Sequence, residues 1–258
     1  VVNALNLPSM SAEEAPRLAP FVALAEKLGM FVGALADTGP EAIEIAYEGV
    51  RDMSLDERAT LTNMAVEAGG FTGIIEADEV VVDYIANQRG TDRKKLQAQI
   101  VKADAGAAYC KTFDIDLGTV VMTVATPGDP RNGVPLQQLR QQGEKKVQIA
   151  YGGSCTGGKK ADMDMYAEVV RKALAKGRTL QAKTYIQFGS QRIRDYAEKM
   201  GYVQLFESAG VELIDPSCGA CIKAGPGVSF TKDEVTVSAI NRNFPGRSGP
   251  GDVYLASP

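Results

Sequence analysis

The chain of 258 residues contains no histidine and no tryptophan. The lack of histidine excludes Ser-His-Asp triads, Cys-His dyads, zinc sites that need imidazole and any histidine general base. Chemistry must therefore come from Cys, Asp, Glu, Arg, Lys, Ser or Tyr side chains.

Long apolar runs and an excess of basic residues are also missing. No stretch approaches the roughly 18 apolar residues of a membrane span, and the first thirty residues lack a signal-peptide pattern. Lys and Arg number 28 against 32 Asp and Glu, a net charge of −4, which is not the footprint of a nucleic-acid binder. We expect a cytoplasmic protein that binds neither membranes nor nucleic acids.

Hydrophobic residues make up 45% of the chain, an ordinary globular composition. The first part is predicted to be rich in helices, followed by two strands and a turn cluster at 127–130. The boundaries that we predict are helices 12–31, 40–50, 55–68, 77–88 and 92–103, and strands 107–117 and 120–125. Residues 1–130 are thus predicted to form one helix-rich α/β domain.

Beyond this boundary, strands and helices alternate with Gly-rich junctions. Such alternation predicts an α/β fold with a parallel sheet flanked by helices. The predicted elements are strands 146–151, 182–188, 210–214 and 234–240, and helices 160–176 and 190–200. Residues 131–258 are predicted to form this second domain.

The four cysteines stand at 110, 155, 218 and 221. Cys218 and Cys221 have the CxxC spacing, which serves metal binding or redox chemistry. Cys155 follows the first strand of the second domain, and ligands collect at the carboxyl edge of such sheets. Three thiolates without imidazole suit a soft metal or an iron–sulfur cluster, whereas inert burial is the expected fate of Cys110.

Arg242 and Arg247 follow the strand at 234–240 and should open on the same edge. Their forked guanidinium groups suit the carboxylates of a di- or tricarboxylate. The other interpretations are surface salt bridges for these arginines and inert buried thiols for the cysteines.

Several motifs together resemble the aconitase and 3-isopropylmalate dehydratase large-subunit family. They are Gly-Ser-Cys-Thr at 153–156 with Asp162 beyond it, Cys-Gly-x-Cys at 218–221 and Asn-Arg-Asn-Phe-x-Gly-Arg at 241–247. The stretch 54–67 is similar to a helix of the family's second domain. The resemblance extends from about residue 38 to the end and implies an aconitase-like three-layer α/β/α fold, of which this chain holds the second and third domains.

The resemblance implies a [4Fe-4S] hydro-lyase that dehydrates and rehydrates a hydroxy acid. Cys155, Cys218 and Cys221 would bind three irons, leaving the fourth for substrate. Glu67 and Asn63 match active-site positions and, four residues apart on a helix, would share one face. The positions implied to be catalytic are Glu67 and Arg242, and those implied to bind substrate are Asn63, Asn241, Arg242 and Arg247.

This chain also departs from the family pattern. Gly157 replaces the usual Asn, and Phe188 replaces the Pro of Pro-Gly-Ser. No counterpart exists for the family's histidine-bearing first domain or for the last domain that supplies a catalytic serine. We therefore expect a partial enzyme completed by further domains or a small subunit.

Two other interpretations stay open. One is a non-catalytic metal-binding or interaction module, to which four thiolate ligands including Cys110 would point. The other is a split subunit that is active only with partner chains. The sequence does not choose among hydroxy acids of the citrate, isopropylmalate, homocitrate or methylcitrate type.

Overall fold

The structure, a computed structural model, describes residues 31–33, 42–46, 52–67, 72–109, 112 and 116–258. These residues fall into two compact units, one within Val1–Val121 and one spanning Met122–Pro258. Nearly all of the predicted helix 12–31, as well as Cys110, lies outside the described residues. Assignment of the two halves to particular domains of the family fold stays a prediction.

Within its described residues, the first unit contains a three-stranded sheet and three α-helices. The strands are β1 (Phe31–Gly33), β2 (Ala42–Ala46) and β3 (Thr72–Ile74), and the helices are α1 (Leu55–Met64), α2 (Glu79–Arg89) and α3 (Arg93–Gln97). Strand β2 is central, antiparallel to β1 and parallel to β3.

Two expectations for this unit were wrong. The predicted helix 40–50 contains strand β2, because Ala-Ile-Glu-Ile-Ala alternates with the two-residue period of a strand. The predicted strand 107–117 does not form at its described residues, and a 3-10 turn spans Leu117–Thr119.

Side-chain N-caps begin the first two helices of this unit. Ser54 and Glu57 form the capping box that begins α1. Asp78 caps α2 and also accepts a hydrogen bond from Nη1 of Arg58 at 2.7 Å. Arg58 is only 3% exposed, so the carboxylate neutralises a buried charge and ties α1 to the start of α2.

Asp78→Asn keeps a capping oxygen but leaves Arg58 buried without its counter-charge. Burial raises the pKa of Asp78, but the hydrogen bond and charge of Arg58 outweigh it, so this pKa lies below the usual 3.8. The pair therefore stabilises the fold above about pH 4, and the contribution is lost as pH falls through the lowered pKa. We expect Asp78→Asn to lose about 3 kcal/mol in the free energy of unfolding at pH 7. The difference from the parent chain should become smaller below pH 3.8.

Urea unfolding of the full chain at pH 7 and pH 3 measures this difference. Asp92→Asn is the control, since Asp92 caps α3 through Lys95 N without facing a buried arginine. An equal loss in both variants at both pH values would contradict the assignment.

The second unit is built on a seven-stranded sheet. Its strands are β4 (Thr123–Ala125), β5 (Gly133–Pro135), β6 (Ile149–Gly153), β7 (Lys183–Gln187), β8 (Glu212–Ile214), β9 (Val235–Ser238) and β10 (Asp252–Leu255). Its helices are α4 (Leu136–Arg140), α5 (Ser154–Gly157), α6 (Lys160–Ala175), α7 (Gln191–Lys199) and α8 (Tyr202–Ser208). Among the helices that the structure describes in either unit, none is long and apolar enough to cross a membrane.

The sheet order is β5–β4–β10–β9–β6–β7–β8. The five strands from β10 to β8 are parallel, and the hairpin β4–β5 adds an antiparallel edge. This mixed, mostly parallel sheet with helices confirms the predicted α/β fold. Because β7 and β8 lie on one side of β6, and β9 and β10 on the other, the strand order reverses between β6 and β9. In open α/β sheets, ligands bind outside the carboxyl ends of the strands at such a point.

Two apolar clusters cover the two faces of this sheet. The helices α6, α7 and α8 contribute most of the first cluster, which consists of Met163, Ala167, Val170, Ile186, Phe188, Ala197, Tyr202, Phe206 and Val211. The second consists of Tyr151, Ala220, Cys221, Ile240, Val253 and Leu255. The segment carrying Cys218 and Cys221 thus helps to cover the face opposite the helices.

Candidate functional site

Cys155 lies in α5, the single helical turn that follows β6, and residues 153–158 around it are called the Cys155 loop. Tyr166, on α6, holds both ends of this loop: its hydroxyl accepts a hydrogen bond from Gly153 N at 3.1 Å and donates one to Gly157 O at 3.0 Å. Ser154 adopts φ = 74°, which costs an L residue about 1–2 kcal/mol. The Cys155 side chain is exposed beyond this strained turn.

The same loop packs directly against the end of β7. A Cβ atom placed on Gly153 would lie 1.9 Å from Gln187 O, and one on Gly158 would lie 2.3 Å from Ser154 O. Gly189 N donates to Gly158 O at 2.9 Å. The backbone of the Cys155 loop therefore reaches its position only because these residues have no side chain.

Gly153→Ala should destabilise the second unit by more than about 3 kcal/mol, because backbone strain and a clash with Gln187 O add together. Gly143→Ala is the matched control: Gly143 also has a positive φ, 91°, but nothing lies within 4 Å of its added Cβ. Denaturant unfolding should show a loss near 1 kcal/mol for that variant. Similar losses in both would show that conformation alone, rather than the close approach, sets the requirement at Gly153.

Asp162, part of the motif quoted for the resemblance, stabilises the start of α6. Its Oδ2 accepts a hydrogen bond from Lys159 N at 2.8 Å, and Lys159 Nζ lies 3.7 Å from the same oxygen. Lys159 Nζ also contacts Thr156 O. Lys159 and Asp162 together therefore link the Cys155 loop to helix α6.

The other two cysteines lie in a 3-10 turn after β8. Cys221 N donates to Cys218 O at 3.0 Å, so the CxxC segment is closed by its own backbone. Cys218 is exposed and Cys221 is 8% exposed. The thiol of Cys221 donates to Asn241 Oδ1 at 3.5 Å and accepts from Arg247 Nη2 at 3.3 Å.

The loop after β9 supplies these two partners of Cys221. Asn243 anchors this loop, since its Nδ2 donates to Thr126 O at 2.8 Å and to Val253 O at 3.0 Å. Arg247 Nε is buried and has no hydrogen-bond partner among the described residues, whereas Arg242 is partly exposed. The structure thus brings Asn241 and Arg247 to a cysteine, as expected for residues at one sheet edge.

Asn63 and Glu67 belong to the first unit. Helix α1 ends at Met64, and Glu67 lies in the turn that follows, with its N–H donating to Met64 O at 3.1 Å. The predicted helix 55–68 is therefore shorter than expected, and Glu67 does not lie on it with Asn63. Glu67 is nevertheless buried, and its grouping with the cysteines stays a prediction.

Sequence reasoning missed Tyr151 and Gln187, which connect β6 and β7 to the CxxC segment. Tyr151 donates to Gln187 Oε1 at 3.0 Å, and burial raises the pKa of Tyr151 to about 12, so it is a neutral donor. The available signal was a glutamine between Ile186 and Phe188 in an otherwise apolar strand end.

Three thiols without imidazole form a donor set of the kind that suits a soft metal or an iron–sulfur cluster. The described residues contain no group of three or more His, Cys, Asp or Glu side chains that could hold one metal ion. Cys155, Cys218 and Cys221 are all free thiols on loops at one sheet edge.

In the metal-free chain, N-ethylmaleimide should modify Cys155 and Cys218 first. Cys221 should react at least about tenfold more slowly than these two, because the reactivity of a thiol follows its exposure. Peptide mass spectrometry over a time course measures the three rates, with the chain in guanidinium as the control that equalises them. Equal rates in the folded chain would contradict the burial of Cys221.

The family model described as Aconitase family (aconitate hydratase) matches residues 34–258. The chain belongs to the aconitase family. This membership confirms the resemblance carried by the motifs at 153–156, 218–221 and 241–247.

Among curated relatives, this chain is 34% identical over 247 residues to the 3-isopropylmalate dehydratase large subunit of Helicobacter hepaticus, which covers 94% of this chain and 56% of the relative. It is 36% identical to the methanogen homoaconitase large subunit of Methanocaldococcus jannaschii, covering 84% and 51%. It is likewise 36% identical to the 2,3-dimethylmalate dehydratase large subunit of Eubacterium barkeri, covering 84% and 50%. The chain thus spans about half the length of the curated relatives that it matches.

Proposed function

We propose that this chain is part of a [4Fe-4S]-dependent hydro-lyase that isomerises a hydroxy di- or tricarboxylate by dehydration and rehydration. The observation that carries the proposal is the thiol of Cys221, which lies in contact with Arg247 and Asn241 at the carboxyl edge of the sheet. Membership of the aconitase family supports it, as do relatives named as dehydratases and a homoaconitase.

Cys155, Cys218 and Cys221 would hold the cluster through three of its irons. When bound, the cluster would supply a Lewis acid, at the iron without a protein thiolate, toward the leaving hydroxyl of the substrate. Arg247 would donate to a thiolate sulfur through Nη2, as it does to Cys221, and its buried Nε remains available as a further donor. Charge-assisted hydrogen bonds of this kind are stronger than neutral ones.

The remaining residues have proposed roles toward the substrate. Arg242 and Arg247 would hold substrate carboxylates as forked donors. The carboxyl of Glu67 would move a proton at the hydroxyl oxygen of the substrate, with Asn63 and Asn241 orienting it.

Partner components would supply what this chain lacks. With no histidine in the sequence, further domains or a small subunit would provide histidines and the catalytic serine. Relatives named as large subunits support a small-subunit partner. The free thiols of the second unit agree with the reducing cytoplasm that we propose as its location.

Anaerobic purification followed by iron and acid-labile sulfide analysis tests the cluster. We expect about four irons per unmutated chain. Mild oxidation should lower this toward three, because one iron has no protein thiolate to retain it. Cys155→Ser, Cys218→Ser and Cys221→Ser should each lose cluster while circular dichroism stays unchanged. Cys110→Ser is the matched control and should retain it.

Zinc, or no metal after anaerobic reconstitution, would mean that the chain does not carry the proposed chemistry. Loss of cluster in Cys110→Ser would instead favour a fourth thiolate ligand and a structural role. Where the cluster is retained, addition of a histidine-containing partner and a malate-type hydroxy acid tests turnover. Glu67→Gln should lower kcat at least about a hundredfold without changing iron content.

A further inference from the structure

Gln187, the last residue of β7, lies between the two cysteine-bearing segments. On one side, its backbone oxygen packs against Gly153, where an added Cβ would lie 1.9 Å away. On the other side, its Nε2 donates to Ser217 O at 2.8 Å and to Ser217 Oγ at 2.6 Å. One residue therefore contacts both the Cys155 loop and the segment that leads into Cys218.

Gln187 is buried, so its side-chain amide must keep these hydrogen bonds in the folded chain. Its side chain is 0% exposed, and its neighbours Ile186 and Phe188 are apolar and buried. A buried amide without hydrogen-bond partners is strongly unfavourable, so the contacts of Gln187 determine where the facing segment can lie. Both ends are bonded: Oε1 accepts from Tyr151, and Nε2 donates to Ser217.

Tyr151 extends the same connection to the CxxC turn. Its hydroxyl lies against Gly219, which stands between Cys218 and Cys221. The turn packs closely here, since a Cβ on Gly219 would lie 2.7 Å from the Tyr151 hydroxyl. Gln187 thus holds the CxxC segment by hydrogen bonds at Ser217, and Tyr151 packs against it at Gly219.

We propose that Gln187 is a positioning residue that fixes the separation between the Cys155 loop and the Cys218–Cys221 segment. The inference rests on the proposed function in one respect only, namely that this separation is the one a three-thiolate cluster needs. The positioning itself is a property of the metal-free chain.

The test compares three variants of the full chain in metal-free form. Gln187→Met preserves side-chain length but removes every hydrogen bond of the side chain, while Tyr151→Phe removes only the hydroxyl. Asp164→Asn is the control, because Asp164 accepts from the hydroxyls of Tyr196 and Tyr202 on the helix-covered face and does not touch the cysteine segments.

Two readouts follow the local structure: the alkylation rate of Cys221 and the amide hydrogen exchange of residues 215–222. In Gln187→Met we expect both to rise roughly ten- to a hundredfold, while the rate of exposed Cys218 stays within about twofold. Tyr151→Phe should give a smaller rise in the same segment, and it serves as the test if Gln187→Met does not fold. Asp164→Asn should leave both unchanged.

Unchanged protection of Cys221 in the Gln187 and Tyr151 variants would overturn the proposal. A rise spread evenly over the second unit, equal to that of Asp164→Asn, would also overturn it, because this indicates general destabilisation. Iron release to a chelator then provides the separate readout, expected to be about tenfold faster in Gln187→Met. If the parent binds no iron but Gln187→Met still exposes Cys221, the positioning stands and the proposed function fails.

Discussion

The second unit depends on the contact between two backbones, where the end of β6 lies directly on the end of β7. No side chain fits between Gly153 and Gln187 O, so the strand ends and the loops that leave them form one packed layer. Tyr166 closes this layer from the helix face through Gly153 and Gly157. Tyr151 closes it from the opposite face through Gln187. Tyr151 belongs to β6 itself, whereas Tyr166 reaches the end of the strand from α6.

The CxxC segment combines a structural and a chemical role. Cys221 belongs to the apolar cluster that covers one face of the sheet, and its sulfur also meets Arg247 and Asn241. A guanidinium beside a sulfur is costly to bury unless the sulfur, or what it binds, carries negative charge. The arrangement therefore links the folding of this face to the chemistry of the thiol.

Much of the fold followed from sequence pattern, and the failures have physical causes. Strands β6, β7, β8 and β9 were predicted because strand and helix patterns alternate there with Gly-rich junctions. The hairpin strand β5, helix α8 and strand β10 were missed because three to seven residues show too little periodicity. In the first unit, five alternating residues of β2 were read as helix, since short runs satisfy both periods.

The candidate site divides in the same way. The sequence predicted the spacing of Cys218 and Cys221 and the order of the loops, because both are set locally along the chain. The role of Gln187 could not be predicted, since it depends on hydrogen bonds with Tyr151 and Ser217, which lie far away in sequence. The position of Glu67 beyond α1 was missed because helix ends are set by caps as much as by periodicity.

The strained turn at Ser154 limits which residues can occupy this position. Its φ of 74° disfavours most L residues, and its hydroxyl accepts a hydrogen bond from Thr156 N at 3.3 Å. Glycine would relieve the backbone but give up the hydroxyl, and a branched apolar residue would lose on both counts. Only small residues with a side-chain oxygen satisfy both demands, so the turn narrows the range of sequences that can precede Cys155 irrespective of what the thiol binds.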